Sequence, residues 1–134
     1  MTKTAERVLP DTNRDLLDKT AIAHLATARP DGQLQSNPVW YEWDGERLMM
    51  STTKARRKYK NLVAEPHTAV SITDPDDQYR YLQVRGQVEH VEDDPTGAFY
   101  QTLQQRYRGY TSEVKDRDVR VILTIRPTGF KARN

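Results

Sequence analysis

The residues best suited to chemistry lie in one stretch, 51–62, which reads Ser-Thr-Thr-Lys-Ala-Arg-Arg-Lys-Tyr-Lys-Asn-Leu. Ser51, Thr52 and Thr53 end an apolar run that reads as a strand, Arg47-Leu48-Met49-Met50, and a basic helical pattern begins at once. Thr52 or Thr53 is a natural N-cap, because its hydroxyl can accept from a first-turn N–H that has no helical partner. Lys54, Arg56, Arg57 and Lys58 then crowd the first turn, where the positive end of the helix dipole disfavours cations. An anion at the helix start removes the conflict, since free N–H groups, hydroxyls, a guanidinium and an ammonium all bind phosphate. The alternative is a solvated basic face on a surface helix. Cations at the helix start instead of its end, preceded by three hydroxyls, favour the anion site.

Other chemistry finds little support. With no cysteine there is no disulfide framework, no thiolate nucleophile and no Cys-ligated metal. His24, His67 and His90 are scattered without zinc-ligand spacing, and His24, in an apolar strand, reads as a satisfied core histidine. No protein nucleophile or acid–base pair stands out, so an enzyme built on this chain must take its chemistry from a cofactor.

The 134 residues are expected to form one domain, with residues 1–10 mobile. No apolar run nears the ~20 residues of a membrane span, and the first residues lack the apolar core of a signal peptide. A cytoplasmic protein is expected. Against 19 acidic residues the 21 basic ones leave a net charge of only +2, which argues against nucleic acid as partner. Any preference for anions must be local.

Several elements must position the basic stretch. Caps at residues 10–13 open a short helix through Leu16 and Leu17, and residues 21–27 alternate like a strand. Pro30-Asp31-Gly32 marks a turn; a strand over 34–43 follows, and Asp44-Gly45 closes a hairpin into a strand over 46–53. Three strands in that order predict an antiparallel meander. The basic helix is expected over 55–64, ended by Glu65-Pro66. Strands are expected over 68–73 and 79–92, the second bent or bulged at Gly86. Pro95 fits a helix N1 position, with Ala98, Phe99, Leu103 and Tyr107 at helical spacing up to Gly109. A strand over 119–126 ends at Pro127, and 128–133 reads as a terminal strand or extended tail. Six or so short strands with two helices predict a small closed or partly open β-barrel.

The pattern resembles the split-barrel, FMN-binding-like flavin and deazaflavin oxidoreductases related to pyridoxamine 5′-phosphate oxidase. The likeness runs from about residue 16 to 130. It is carried by His24-Leu25-Ala26-Thr27 before Asp31-Gly32, by Gln35-Ser36-Asn37-Pro38-Val39-Trp40, by Arg56-x-Lys58-x-x-Asn61-Leu62 and by the late Gly86 strand. Within the family the chain is most similar to the small actinobacterial branch associated with the deazaflavin coenzyme F420. The resemblance implies a mainly β, six-stranded antiparallel split barrel with two or three helices, and a homodimer holding each cofactor in a groove between two barrels.

It also implies site residues. The phosphate ligands fall on Arg56 and Lys58, with Ser51, Thr52 and Arg57 as neighbours, and the ring-flanking strand on Gln35, Ser36, Asn37, Pro38 and Val39. The aromatic loop reaching in from the partner chain falls on Tyr79 and Tyr81, which otherwise read as cross-strand packing partners. Trp40 and Trp43 read as core and rim packing. Phe130 stands roughly where the wider family often has a C-terminal Trp. The chain lacks the extended C-terminal substrate segment of true pyridoxamine phosphate oxidases, which argues against that substrate.

The implied reaction is hydride transfer at the deazaflavin C5, to or from a small conjugated or heteroaromatic substrate. Lys54 and Lys60 are candidates for the cofactor's glutamate tail, Lys60 reading better as a solvated group. The alternatives are an FMN-dependent oxidase or reductase on the same fold, and a non-catalytic flavin- or haem-binding protein. No metal site is expected.

Overall fold

The computed structural model describes residues 8–134. The expected mobility of the N-terminus falls mainly on residues 1–7, outside the described residues, whereas Leu9 packs against the core. After a 3-10 turn at Asp11–Asn13 come α1 (Asp15–Asp18), β1 (Ala23–Ala28), β2 (Leu34–Val39), β3 (Glu42–Trp43) and β4 (Leu48–Thr53). Then follow α2 (Arg57–Ala64), β5 (His67–Asp74), β6 (Asp77–Asp93), α3 (Ala98–Arg108) and β7 (Arg120–Arg133).

The strands make one seven-stranded sheet in the order β2-β1-β5-β6-β7-β4-β3. Every pairing is antiparallel. The sheet is not closed by hydrogen bonds: β2 and β3 are its two edges, and the chain itself joins them through residues 40 and 41. This is the expected split barrel, with a two-residue seventh strand added.

The inward face alternates as period-2 patterning requires. Leu25, Met50, Val70, Ile72, Leu82, Val84, Leu123 and Ile125 are buried in one cluster, with Leu16, Leu17 and Leu62 supplied by the helices. Phe130 is buried in the same cluster, opposite Val84 in the β6–β7 ladder.

Three expectations about the elements need correction. The run 34–43 is two strands, because the chain turns at the seam, where the Tyr41 hydroxyl donates to the Leu16 carbonyl at 2.7 Å. The meander therefore breaks there: β4 pairs with β7, not β2. Pro127 does not end the last strand. It sits opposite Gly86, and the register shifts between Arg85 and Gly86, so the bulge carries the ladder past a residue with no N–H to donate.

Candidate functional site

At the seam, where the end of β2 faces β4, lies an open cavity of about 410 Å3. Pro38, Val39 and Trp40 border it from the β2 side, and Ser51, Thr52 and Thr53 from β4. The start of α2 contributes Arg56 and Lys58, α3 contributes Tyr100, Leu103 and Arg108, and Arg120 comes from the first position of β7. Ile22, just before β1, completes the lining.

The helix start differs from the expected capping. Thr52 and Thr53 remain in the β4 ladder, opposite Val121 and Arg120, so neither hydroxyl caps α2. Arg56 takes the N-cap position with no side-chain cap bond, and the helix begins at Arg57 instead of residue 55. The ladder with β7 holds the threonines in extended backbone, and a turn closed by Arg56 N–H donating to Thr53 O at 3.1 Å intervenes. The first-turn N–H groups are thus uncapped, and the hydroxyls line the cavity beside them.

The electrostatics of this end favour an anion. Among the described residues neither Arg56 nor Lys58 has a carboxylate within 4.0 Å. Burial, with the like charges of Arg56 and Arg120 adding to it, lowers the Lys58 ammonium below the ordinary lysine value. Among the described residues the buried Thr52 Oγ1 has no hydrogen-bond partner. A buried hydroxyl left unpaired costs stability unless a ligand or water pairs it. These residues fit a phosphate group: hydroxyls, uncapped amides and two cations surround one space.

Arg120 is more committed. Its Nε and Nη2 donate to the Asp116 carboxylate at 2.9 and 3.1 Å, its Nη1 to Ser51 Oγ at 3.3 Å, and its guanidinium carbon lies 3.8 Å from the Tyr100 ring centroid. This residue ties β4, β7 and α3 together at the wall of the cavity. Helix α3 starts at Ala98, with Gly97 at its N-cap, instead of at Pro95, and the Asp94 carboxylate accepts from the Phe99 and Tyr100 N–H groups at 3.3 and 3.2 Å. That cap sets the first turn from which Tyr100 projects.

Of the residues expected at the site, Pro38, Val39, Ser51, Thr52, Arg56 and Lys58 line the one cavity. Gln35, Ser36 and Asn37 lie on the free edge strand β2, where Gln35 Nε2 donates to Asn37 Oδ1 at 2.7 Å. Arg57 is exposed at the first position of α2, outside the lining. Tyr79 and Tyr81 stand on β6 away from the cavity, Tyr79 being 69% exposed. Lys54 is paired with Asp93 at 3.0 Å, and Lys60 is exposed. His24 is exposed on β1 and not in the core, because Ala23, Leu25 and Thr27 take the inward positions of that strand. No histidine borders the cavity.

Sequence reasoning missed Trp40, Tyr100, Leu103, Arg108 and Arg120. Trp40 adjoins the expected ring-flanking run. Arg120 is a cation near the start of an otherwise apolar strand, a local oddity that points to a role at the strand's end.

The profile of the family described as pyridoxamine 5′-phosphate oxidase matches residues 9–134. The chain belongs to the pyridoxamine 5′-phosphate oxidase family. Solved structures agree with that membership. A protein titled F420 reductase is 48% identical, with a TM-score of 0.89, covering 92% of this chain and 98% of its own. A pyridoxamine 5′-phosphate oxidase-like protein from Listeria innocua has the same fold at 18% identity and TM-score 0.73, covering 92% and 97%. So does the FAD and heme binding protein from Mycobacterium smegmatis, at 20% identity and TM-score 0.67, covering 89% and 67%. No curated protein matches. Among the described residues of this family member, no helix is long and apolar enough to cross a membrane, and no cluster of His, Cys, Asp and Glu could hold a metal ion.

Proposed function

We propose that this chain is an oxidoreductase that binds the deazaflavin coenzyme F420 and exchanges a hydride with a small conjugated or heteroaromatic substrate. The observation that carries the reading is the anion end of the cavity, where Arg56 and Lys58, free of carboxylates, meet the unpartnered Thr52 hydroxyl. The 48% identity to an F420 reductase favours the deazaflavin over FMN, the alternative cofactor with the same phosphate chemistry. Haem has no support at this cavity, since no histidine lines it.

The bound cofactor would supply the hydride donor and acceptor. Arg56, Lys58, Ser51 and Thr52 would hold its phosphate, with Arg57 adding charge from outside the lining. Gln35, Ser36 and Asn37, on the free edge of β2, would offer amide and hydroxyl groups to the ring edge, while Pro38 and Val39 would give it an apolar seat. Tyr79 and Tyr81, on β6 away from the cavity, would reach a cofactor from a second subunit, and the reading accordingly includes a homodimer with the cofactor between barrels, in the cytoplasm.

Equilibrium titrations with F420 and with FMN, followed by fluorescence, test the reading. F420 should bind more tightly, and Lys58→Ala or Arg56→Ala should each cost roughly 1.5–3 kcal/mol of affinity, the scale of a charge-assisted hydrogen bond. Tighter binding of FMN would move the protein to the flavin side of the family. Binding of neither would end the cofactor proposal.

A further inference from the structure

The cavity has a second end that the phosphate reading does not use. Trp40 is clamped there: its ring lies 5.0 Å from that of Tyr107 at 9° and 6.1 Å from that of Tyr100 at 18°. Tyr107 is itself fixed, its hydroxyl donating to the Ala21 carbonyl at 2.6 Å and accepting from the Tyr41 N–H at 3.2 Å. Trp40 is therefore a fixed apolar wall of the cavity that loses little entropy when a ligand packs against it, its ring already stacked with the two tyrosines.

The arginines around this wall differ in commitment. Arg106 is spent on the Asp18 and Lys19 carbonyls at 3.1 and 2.7 Å. Arg120 is spent on Asp116 and Ser51. Arg108 has no carboxylate within 4.0 Å among the described residues, and its guanidinium carbon lies 5.1 Å from the Trp40 ring centroid. A guanidinium that lies over an aromatic ring and has no carboxylate partner among the described residues suits a ligand that joins an apolar conjugated group to a carboxylate, which the guanidinium can grip with two parallel bonds.

We propose that Arg108 and the aromatic wall of Trp40 and Tyr100 form the substrate subsite, and that the substrate is an aromatic or conjugated carboxylate whose carboxylate meets Arg108 while its apolar part packs against that wall. The proposal rests on the cofactor's phosphate occupying the Arg56 and Lys58 end, and it narrows the substrate class of that reading.

The test is isothermal titration calorimetry on the full chain, with cinnamate and its neutral isostere cinnamamide as probes, each with and without saturating F420. Cinnamate should bind at least about tenfold more tightly than cinnamamide, the scale of a charge-assisted pair. Arg108→Gln should abolish that difference while leaving cinnamamide and inorganic phosphate unchanged. Lys58→Ala should weaken phosphate and leave cinnamate unchanged. Equal binding of the two probes by the natural chain, or full cinnamate affinity in Arg108→Gln, would overturn the proposal. So would displacement of cinnamate by F420, which would assign this end to the cofactor. Failure of the cofactor reading would show separately, as absence of binding by F420 and FMN alone.

Discussion

Lys58 meets two opposed demands. In the folded chain its ammonium is disfavoured by burial and by Arg56 and Arg120, so its folded value lies below the 10.5 of the unfolded chain. The unfolded state then binds the proton more tightly, and stability rises with pH through the window between the lowered value and 10.5. A bound anion reverses the preference. Affinity for phosphate should therefore fall as pH rises from about 8, where phosphate is dianionic throughout, toward 10. In Lys58→Arg the same titration should be nearly flat, because guanidinium stays charged. Thr52 shows the same opposition without charge, since its buried hydroxyl has no partner. Thr52→Val should stabilise the ligand-free protein by about 1 kcal/mol, measured by urea unfolding, and weaken cofactor binding.

At the scale of elements, the direction in which α2 presents its cations depends on Asn61. This fully buried residue donates from Nδ2 to Thr27 Oγ1 on β1 at 3.0 Å, one helical turn beyond Lys58. Asn61→Ala should cost about 2 kcal/mol in urea unfolding, through the lost bond and the cavity left behind. Strand β6 depends in the same way on Gly86. A Cβ there would stand 2.6 Å from Ile125 Cγ2 and 2.9 Å from the Arg126 carbonyl oxygen. Because one of these atoms is backbone, the β7 strand would have to move, and Gly86→Ala should destabilise by about 2 kcal/mol in the same assay. Helix α3 makes a related point: Asp94, outside the helix, caps the first turn from which Tyr100 projects.

For the molecule as a whole, a cluster of ions fastens the N-terminal helix to the β5–β6 hairpin. Lys19 donates to Asp74 at 2.9 Å and to Asp76 at 3.2 Å, and Arg80 bridges Asp74 at 2.8 Å and Asp15. The bond from Lys19, the Asp76 N–H and the bond from Arg80 hold the Asp74 carboxyl well below the usual carboxylate range. Since the folded value is depressed, this stabilisation is complete above the unfolded carboxylate value near 4 and is lost as pH falls below it. Urea midpoints should drop on acidification from about pH 5 to 3 in the natural chain and change less in Asp74→Asn. The barrel's open seam is the other feature of this scale. Tyr41 closes the gap from within by bonding α1, and Tyr107 of α3 covers it, which leaves room for a cavity beside it.

Local signals determined most of the elements. Period-2 runs marked β1, β5 and β6, the Asp31-Gly32 and Asp44-Gly45 turns stand where they were expected, and Gly86 announced its bulge, because each of these depends on neighbours in the chain. The stretch proposed to bind an anion stood out for the same reason: hydroxyls, cations and a helix start within one short stretch conflict with helix electrostatics unless a ligand resolves the conflict, and the structure places Ser51, Thr52, Arg56 and Lys58 on one cavity. Pairing partners were not legible. Whether β4 lies beside β2 or β7 is decided by burial across the barrel, and that choice kept Thr52 and Thr53 in a strand and moved the helix start to Arg57. The second end of the cavity was hidden too, because Trp40, Arg108 and Arg120 are far apart in sequence and meet only where the open sheet brings its two edges together. Composition and spacing specify which residues can bind an anion, whereas the closure of the sheet decides which of them face the same space.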